Sequence, residues 1–571
     1  MYRPPVEDYA FYLENIIEGQ AVLDDLGHEE MSLADLVDVL AHAGEFSTSV
    51  IHPLNAPADR EGVGLAAGAV TSSSGFADAY RTFIEAGWPA LAAPIDAGGD
   101  GLPHIITHPI DEFWSAGGAA FGLIPALTRG AVTALHAVGD DALKAWLLPA
   151  MVSGRWTGTM NLTEPQAGTD LSAVRTMAES NSDGTWSIKG QKIFITWGDH
   201  DLADNIVHLV LARTPEAPEG HGGLSLFAVP KYLPSPDAVP GERNGISTVS
   251  VERKLGLHGS ATCVLDYDGA TGYLVGRLHA GLESMFVMMN VSRIGVGVQS
   301  VGVADRAYQM ARDYAHERVQ GTPLERSQGA PIAEHPDVGR RLTSMASRIS
   351  AMRALTVQVS AWIDASSGSD EAQKFADFFS PVVKGWMSES AVEITSDAVQ
   401  VHGGSGYIEE TGIAQYYRDA RILPIYEGTT AIQANDLIGR KILRDRGVLA
   451  RRVLDRIARD VEPLRDNQDS VAARTAGQLE SAVATMGKAV EALVAVGEQH
   501  PRDAFAASVP MLLAWGDLAG MWMHARITAA SVAHPDSQSH RRLREAEFFG
   551  THHLGCRLGN LVEIIEIGEI T

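Results

Sequence analysis

The chain has 571 residues, 45% of them hydrophobic and 20% charged, with a formal net charge of −26. That length exceeds what a single hydrophobic core supports, so several domains are expected, none needing a disulfide or metal staple. The acidic balance repels phosphate backbones and anionic headgroups, and no long Lys/Arg run offsets it, which excludes nucleic acid as an expected partner.

Two cysteines, Cys263 and Cys556, lie far apart and no CxxC zinc pattern occurs, which suits a reducing compartment. Residues 1–8 lack the apolar core of a signal peptide, and no uninterrupted apolar run reaches membrane-spanning length. A cytoplasmic protein without a membrane span is the expectation.

In chain order, residues 1–155 read as an N-terminal helical domain. Segments 33–43 and 131–148 carry apolar residues at three- and four-residue spacing, and Gly98-Gly99-Asp100-Gly101-Leu102-Pro103 punctuates them. Residues 156–276 read as a middle β-domain. Short β-branched and aromatic runs at 185–190, 192–197, 206–211, 224–229 and 246–251 alternate with Gly, Pro and Asp, as in an antiparallel barrel or sandwich. No long helix separates them, which disfavours a parallel dinucleotide fold.

Residues 277–446 return to helical periodicity. Val301, Ala304, Tyr308, Ala311 and Ala315 share one helix face, and further helices are expected over 338–365, 374–401 and 431–446, forming a bundle. Residues 447–571 read as an additional helical domain, in which Leu512, Trp515, Leu518 and Trp522 form a core-facing stripe. The fold class is multidomain α+β.

Three motifs carry candidate chemistry. In Leu423-Pro424-Ile425-Tyr426-Glu427-Gly428-Thr429-Thr430-Ala431-Ile432-Gln433, the Thr430/Gln433 spacing is that of a capping box, so a helix is expected to begin at Ala431. Glu427 then precedes a helix N-terminus, where the dipole favours its anion, burial raises its pKa, and Gly428 allows a tight turn. A carboxylate so placed suits proton abstraction, although a glutamate at a helix start is by itself most often a cap. Pro165 and Gly168 in Met160-Asn161-Leu162-Thr163-Glu164-Pro165-Gln166-Ala167-Gly168-Thr169-Asp170-Leu171 predict an irregular turn able to hold a ring edge and a phosphate. Gln400-Val401-His402-Gly403-Gly404-Ser405-Gly406-Tyr407 permits close backbone approach to a phosphate-bearing ligand, but it is not a GxGxxG after a strand. His402 there reads as a hydrogen-bonding scaffold residue.

These motifs, their order and the domain pattern resemble the acyl-CoA dehydrogenase family over residues 75–445. The segment from Thr163 to Asp170 is similar to the family's flavin signature, with Thr169 where serine is common. Gly190-Gln191-Lys192, followed by Ile195-Thr196, resembles the strand pair beside the flavin ring. Arg293 resembles the arginine that opens the first helix after the sheet, and Arg318 the arginine reaching the flavin of a neighbouring subunit. Gln400 to Gly404 resembles the adenine-side loop, and Tyr426 to Thr430 the catalytic loop.

The resemblance implies FAD as cofactor, lying between the β-domain and a C-terminal four-helix bundle. Met160, Leu162, Thr163, Gly168, Thr169, Phe194, Thr196, Arg318, Gln400, Gly403, Gly404 and Thr429 would bind it, and no metal is implied. Thr169, Ser292, Arg293, Tyr426 and Gly428 would contact an acyl-CoA substrate. Glu427 would take the pro-R α-proton while the β-hydride goes to flavin N5, giving a trans-2-enoyl-CoA. The thioester oxygen would be held by the Glu427 N–H and a ribityl hydroxyl. Electron-transferring flavoprotein would reoxidise the flavin, and the chain would form a homodimer or homotetramer.

Some members place the base just before the arginine that opens the bundle; that position is Ser292 here, which leaves Glu427. The segment Val319-Gln320-Gly321 departs from the family in lacking an aromatic residue. Residues 5–8, 53–62 and the tail after Gly447 resemble the longer, broad subgroup that contains the 3-methylmercaptopropionyl-CoA dehydrogenases and does not by itself define a substrate; its additional domain is expected here to complete a dimer interface. Rival readings are an acyl-CoA oxidase that reduces oxygen and a DNA-damage-response relative that binds nucleic acid. The acidic balance of the chain and the absence of a long Lys/Arg cluster after Gly447 disfavour the second.

Overall fold

The computed structural model describes residues 2–234, 240–465 and 467–568. They divide into two compact units: a sheet unit of Phe46–Pro103 with Gly117–Gly295, and a helical unit of Met1–Glu45, His104–Ala116 and Val296–Thr571.

The sheet unit is organised by seven strands: β1 (Trp156–Asn161), β2 (Met177–Ser180), β3 (Trp186–Thr196), β4 (Asn205–Arg213), β5 (Leu224–Pro230), β6 (Ile246–Val251) and β7 (Thr262–Val275). Their hydrogen-bonded order is β6-β7-β3-β2-β4-β1, and β5 pairs with both β7 and β4, which closes a ring through β7, β3, β2, β4 and β5. Closure leaves the five ring strands paired on both sides, while β6 and β1 flank the ring and pair on one side each. The runs expected at 185–190 and 192–197 are one continuous strand, β3.

The antiparallel expectation needs one correction. β1 pairs with β4 in parallel, from Trp156↔Asn205 to Asn161↔Val210, and Met177↔Arg213 is also parallel. The chain between β1 and β4 includes β2 and β3, long enough for the crossover that a parallel pair requires. Every residue of β4 except Arg213 is buried, which explains its unbroken apolar run.

The helix expected over 131–148 is two helices, because Gly139 ends one and Asp140 caps the next by accepting from the Leu143 N–H at 2.8 Å. Ala131, Leu135, Leu147, Met151, Trp156, Leu209 and Leu226 form one buried cluster that joins these helices to the sheet.

In the helical unit the long elements are Pro336–Ala365, Asp370–His402, Ser470–Gln499 and Ser508–Ala533, with the part of Gly281–Glu317 that follows Gly295. Leu512, Trp515, Leu518 and Trp522 are fully buried, as their spacing predicts. Their partners belong to the same chain: the Trp515 ring lies 4.9 Å from Phe378, and Trp522 lies 5.9 Å from Trp362. The stripe is therefore the seam between the additional helices and the bundle, not a surface held ready for a second subunit.

Trp386 of the bundle fits against Gly516, where a Cβ would stand 2.0 Å from the indole Cγ, and its N–H donates to Asp517 Oδ1 at 2.9 Å. The N-terminal segment joins the same unit through Tyr9, whose hydroxyl donates to buried Glu112. Glu112 also accepts from Arg353 at 2.6 and 3.0 Å.

Two helices, His104–Val138 and Gly281–Glu317, are long and apolar enough to cross a membrane by length and composition alone. Their most apolar windows are 72% and 61% buried inside the protein, so most of that apolar surface already has a packing partner.

Candidate functional site

Glu427 and its neighbours lie in the helical unit. The short helix Thr430–Asp436 begins one residue earlier than expected, and its cap is Thr429, whose hydroxyl accepts from the Ile432 N–H. The capping box is therefore not formed by Thr430 and Gln433. Instead the Thr430 hydroxyl donates to Glu389 Oε1 at 2.6 Å, and Gln433 Nε2 donates to the Glu427 carbonyl at 3.0 Å. The chain continues through a π-turn at Leu437–Ile442 and a tight turn at Leu443–Asp445, so the helix expected over 431–446 is not a regular α-helix.

Glu427 has φ of 56° and Gly428 φ of 89°. A left-handed conformation at a non-glycine residue costs about 1–2 kcal/mol and persists only where surrounding contacts impose it. Here Lys384, buried on helix Asp370–His402, donates from Nζ to the Gly428 carbonyl at 2.6 Å. Half-buried Tyr426 donates its hydroxyl to Gln299 Oε1. Burial pushes the Tyr426 hydroxyl far above its usual pKa and the Glu427 charge adds to the shift, so the group stays neutral and acts as a donor.

The other motif residues of this unit are placed as follows. Gln400, Gly403 and Gly404 are exposed at the end of helix Asp370–His402, and a Cβ on either glycine would meet nothing within 4 Å. His402 stacks on Tyr314 at 4.4 Å, and its Nδ1 pairs with the Ala398 carbonyl at 2.8 Å, which makes it a scaffold residue. Arg318 is exposed just beyond helix Gly281–Glu317, and its guanidinium donates to Gln320 Oε1 at 3.3 Å.

The flavin-signature segment lies in the sheet unit and leaves β1. Met160 and Leu162 share one face and are partly exposed, while Thr159 and Asn161 on the other face are buried beside His208 and Tyr267. The turn that follows is closed by Glu164 and Ala167, which exchange backbone hydrogen bonds of 3.0 and 2.9 Å.

Buried Glu164 braces this turn. Its Oε1 accepts from Lys192 Nζ at 2.8 Å and from the Thr176 hydroxyl and N–H, while Oε2 accepts from the Arg175 N–H. Burial alone would raise the carboxyl pKa, but the Lys192 ammonium and these donors bring it down to about 2. Gly168 and Thr169 are exposed beyond the turn.

Phe194 is set by a bulge in β3. The pairs Leu265↔Lys192 and Cys263↔Ile195 leave one extra residue on β3, and Phe194 takes φ of 59° there. Bulges of this kind re-aim a side chain. The Phe194 ring is 59% exposed while its neighbour Ile195 is buried, and the Ile193 N–H donates to the Thr163 carbonyl at 2.9 Å, which ties the bulge to the signature segment. Thr196 pairs with Thr262 at the end of the strand.

On helix Gly281–Glu317, Ser292 is half-buried, and Arg293 is buried with its guanidinium 6.0 Å from the Phe286 ring. The Arg293 Nε has no hydrogen-bond partner among the described residues. No group of three or more His, Cys, Asp or Glu that could hold a metal occurs among the described residues.

Sequence reasoning did not pair Glu164 with Lys192, nor single out Lys384, Gln299 or Glu389. Lys384 did carry a signal, as a lone charge within Val382-Val383-Lys384-Gly385-Trp386. Glu389 and Gln299 carried none, because their roles depend on which helix faces the loop.

Three family models match the chain: the acyl-CoA dehydrogenase middle domain over residues 159–270, the acyl-CoA dehydrogenase C-terminal domain over 279–443, and the acetyl-CoA dehydrogenase C-terminal-like domain over 453–569. The chain is 48% identical over 528 residues to 3-methylmercaptopropionyl-CoA dehydrogenase of Ruegeria pomeroyi, a match covering 91% of this chain and 90% of that protein. It is 35% identical to the broad-specificity linear acyl-CoA dehydrogenase FadE5 of Mycobacterium tuberculosis, over 94% of this chain and 91% of that one. Its fold is shared with an acyl-CoA dehydrogenase complexed with FAD from Bacillus anthracis, at a TM-score of 0.76 and 21% identity, covering 95% of this chain and 90% of that one. The chain belongs to the acyl-CoA dehydrogenase family and is an oxidoreductase, with a further C-terminal helical region of the kind found in its longer members.

Proposed function

We propose that this enzyme uses FAD to dehydrogenate an acyl-CoA thioester to a trans-2-enoyl-CoA, with Glu427 as the base. The observation that carries this reading is the left-handed backbone of Glu427, held at a capped helix start by Lys384 and Gln433. A carboxylate on so constrained a hinge is placed for one proton transfer. The carboxylate accepts the α-proton, and backbone N–H groups of the same loop stabilise the charge that develops on the thioester oxygen.

The residues present fit FAD. The exposed Phe194 ring on its bulge offers a flat apolar face, and Gly168, Gly403 and Gly404 leave open space where a Cβ would stand. Met160, Leu162, Thr163, Thr169 and Thr196 are further FAD contacts proposed within the sheet unit; within the helical unit Arg318, Gln400 and Thr429 are proposed. When bound, FAD supplies the acceptor for two electrons and the β-hydrogen. Ser292 and Arg293, whose Nε has no hydrogen-bond partner among the described residues, are proposed substrate contacts of the sheet unit, and Tyr426 and Gly428 are those proposed of the helical unit. The Bacillus anthracis structure complexed with FAD supports the cofactor assignment.

The decisive experiment is anaerobic flavin bleaching by a panel of acyl-CoA thioesters that includes a thioether, since the Ruegeria relative is named for one. Glu427→Gln should retain flavin and lose reduction by about 100- to 10,000-fold, because an amide cannot accept the proton. Wild-type bleaching in that variant refutes the assignment. Electron-transferring flavoprotein is the proposed acceptor; peroxide formation without it would favour an oxidase. A cytoplasmic location is an accompanying proposal, supported by two free thiols, one buried at Cys263 and one exposed at Cys556, and a homo-oligomer is a separate one. Sedimentation of the holoenzyme tests the oligomeric part.

A further inference from the structure

We propose that Lys384 and Gln433 are positioning residues that fix the base by gripping the two carbonyls of its turn; this rests on Glu427 being the base. Lys384 is 0% exposed within helix Asp370–His402, and a buried ammonium is costly unless it is bound. It donates to the Gly428 carbonyl at 2.6 Å, a charge-assisted bond roughly twice as strong as a neutral one. Gln433, also 0% exposed, donates to the Glu427 carbonyl at 3.0 Å and reaches the Gly428 carbonyl at 3.5 Å.

The two contacts act on consecutive peptide planes. In a trans peptide the carbonyl and the following N–H point in opposite directions. With the Glu427 and Gly428 carbonyls turned to Gln433 and Lys384, the N–H groups of Gly428 and Thr429 are turned away from them. The grip therefore sets the direction of the Gly428 and Thr429 N–H groups and holds the peptide that follows Glu427, whose φ is 56°. Gly428 has φ of 89°, which favours glycine, and a Cβ there would also crowd Gln433 Nε2 at 2.7 Å. The bond from Thr430 to Glu389 ties the next turn to the helix that carries Lys384.

The test uses the flavin-loaded full chain and two variants of similar volume, Lys384→Met and Gln433→Met. Misplacement of a reacting group by about 1 Å costs about 100-fold in rate, so kcat should fall by about that factor in Lys384→Met while KM changes little. Hydrogen exchange of residues 424–433, measured in flavin-free protein, should become faster. The effects of the two variants on kcat should be less than multiplicative, because both contacts hold one backbone.

Wild-type kcat in folded Lys384→Met overturns the proposal, as does a loss expressed only in KM. If Lys384→Met does not fold, Gln433→Met decides, and wild-type kcat there is equally fatal. That second variant is expected to fold, because it removes a buried Oε1 that has no hydrogen-bond partner. Glu427→Gln measured alongside separates the two ideas. Retained activity in that variant brings down the base assignment, whereas its inactivity beside a fully active Lys384→Met brings down the positioning alone.

Discussion

Gly516→Ala tests whether the additional helices and the bundle share one core. An ideal Cβ at Gly516 stands 2.0 Å from Trp386 Cγ, 2.3 Å from Cδ1 and 2.5 Å from Cβ. Carbon contacts relax near about 3.5–4.0 Å, so helix Ser508–Ala533 and helix Asp370–His402 must separate by about 1.5 Å, or Trp386 must leave its site. Rotating the indole does not clear the clash, because its own Cβ is also too near.

Overpacking of this size costs about 3 kcal/mol, and losing the indole bond to buried Asp517 adds about 1 kcal/mol. The better helix propensity of alanine returns about 1 kcal/mol, which leaves a net loss of about 3 kcal/mol. Gly477 is the control: it lies exposed within helix Ser470–Gln499 with nothing within 4 Å of its Cβ position, so Gly477→Ala should stabilise by up to about 1 kcal/mol. Thermal melts followed by far-UV circular dichroism should move in opposite directions for the two variants. A Gly516→Ala protein melting at or above the wild type would refute the shared core.

Two further perturbations address the sheet unit. Phe194→Gly should relieve a left-handed backbone, stabilising the apoprotein by about 1 kcal/mol, while FAD affinity measured by fluorescence titration should fall. Loss of stability together with unchanged affinity would contradict the role of the bulge. Glu164→Gln should destabilise by about 3–5 kcal/mol at neutral pH, because Lys192 is left buried without its counter-charge. The Glu164 carboxyl is depressed from 4.5 to about 2, so its contribution is complete above 4.5 and lost as pH falls through that window. The difference between wild type and variant in urea unfolding should therefore shrink between pH 4.5 and 2. A difference that stays constant there would contradict the low carboxyl pKa.

Some of this architecture was legible because the pattern was local. The apolar stripe through Trp515 and Trp522 has helical spacing, and the run 206–211 has the density of a strand buried on both faces. Glu427 could be found because Gly428 and two threonines mark a turn running into a helix. The cap itself fell on Thr429 instead of Thr430, because Glu389 on another helix claims the Thr430 hydroxyl. The parallel pairing of β1 with β4 escaped because register between distant strands leaves no mark in either one.

The amino-acid order by itself determined where helices and strands form, which faces are apolar, and which carboxylate precedes a helix start, since these depend on neighbours within a few residues. Only the tertiary structure decided that Lys384 and Gln433 hold the turn at Glu427, that Lys192 meets Glu164, and that Gly516 receives Trp386. Each joins residues brought together by folding, and a buried charge or a missing side chain states a need without naming the partner that meets it.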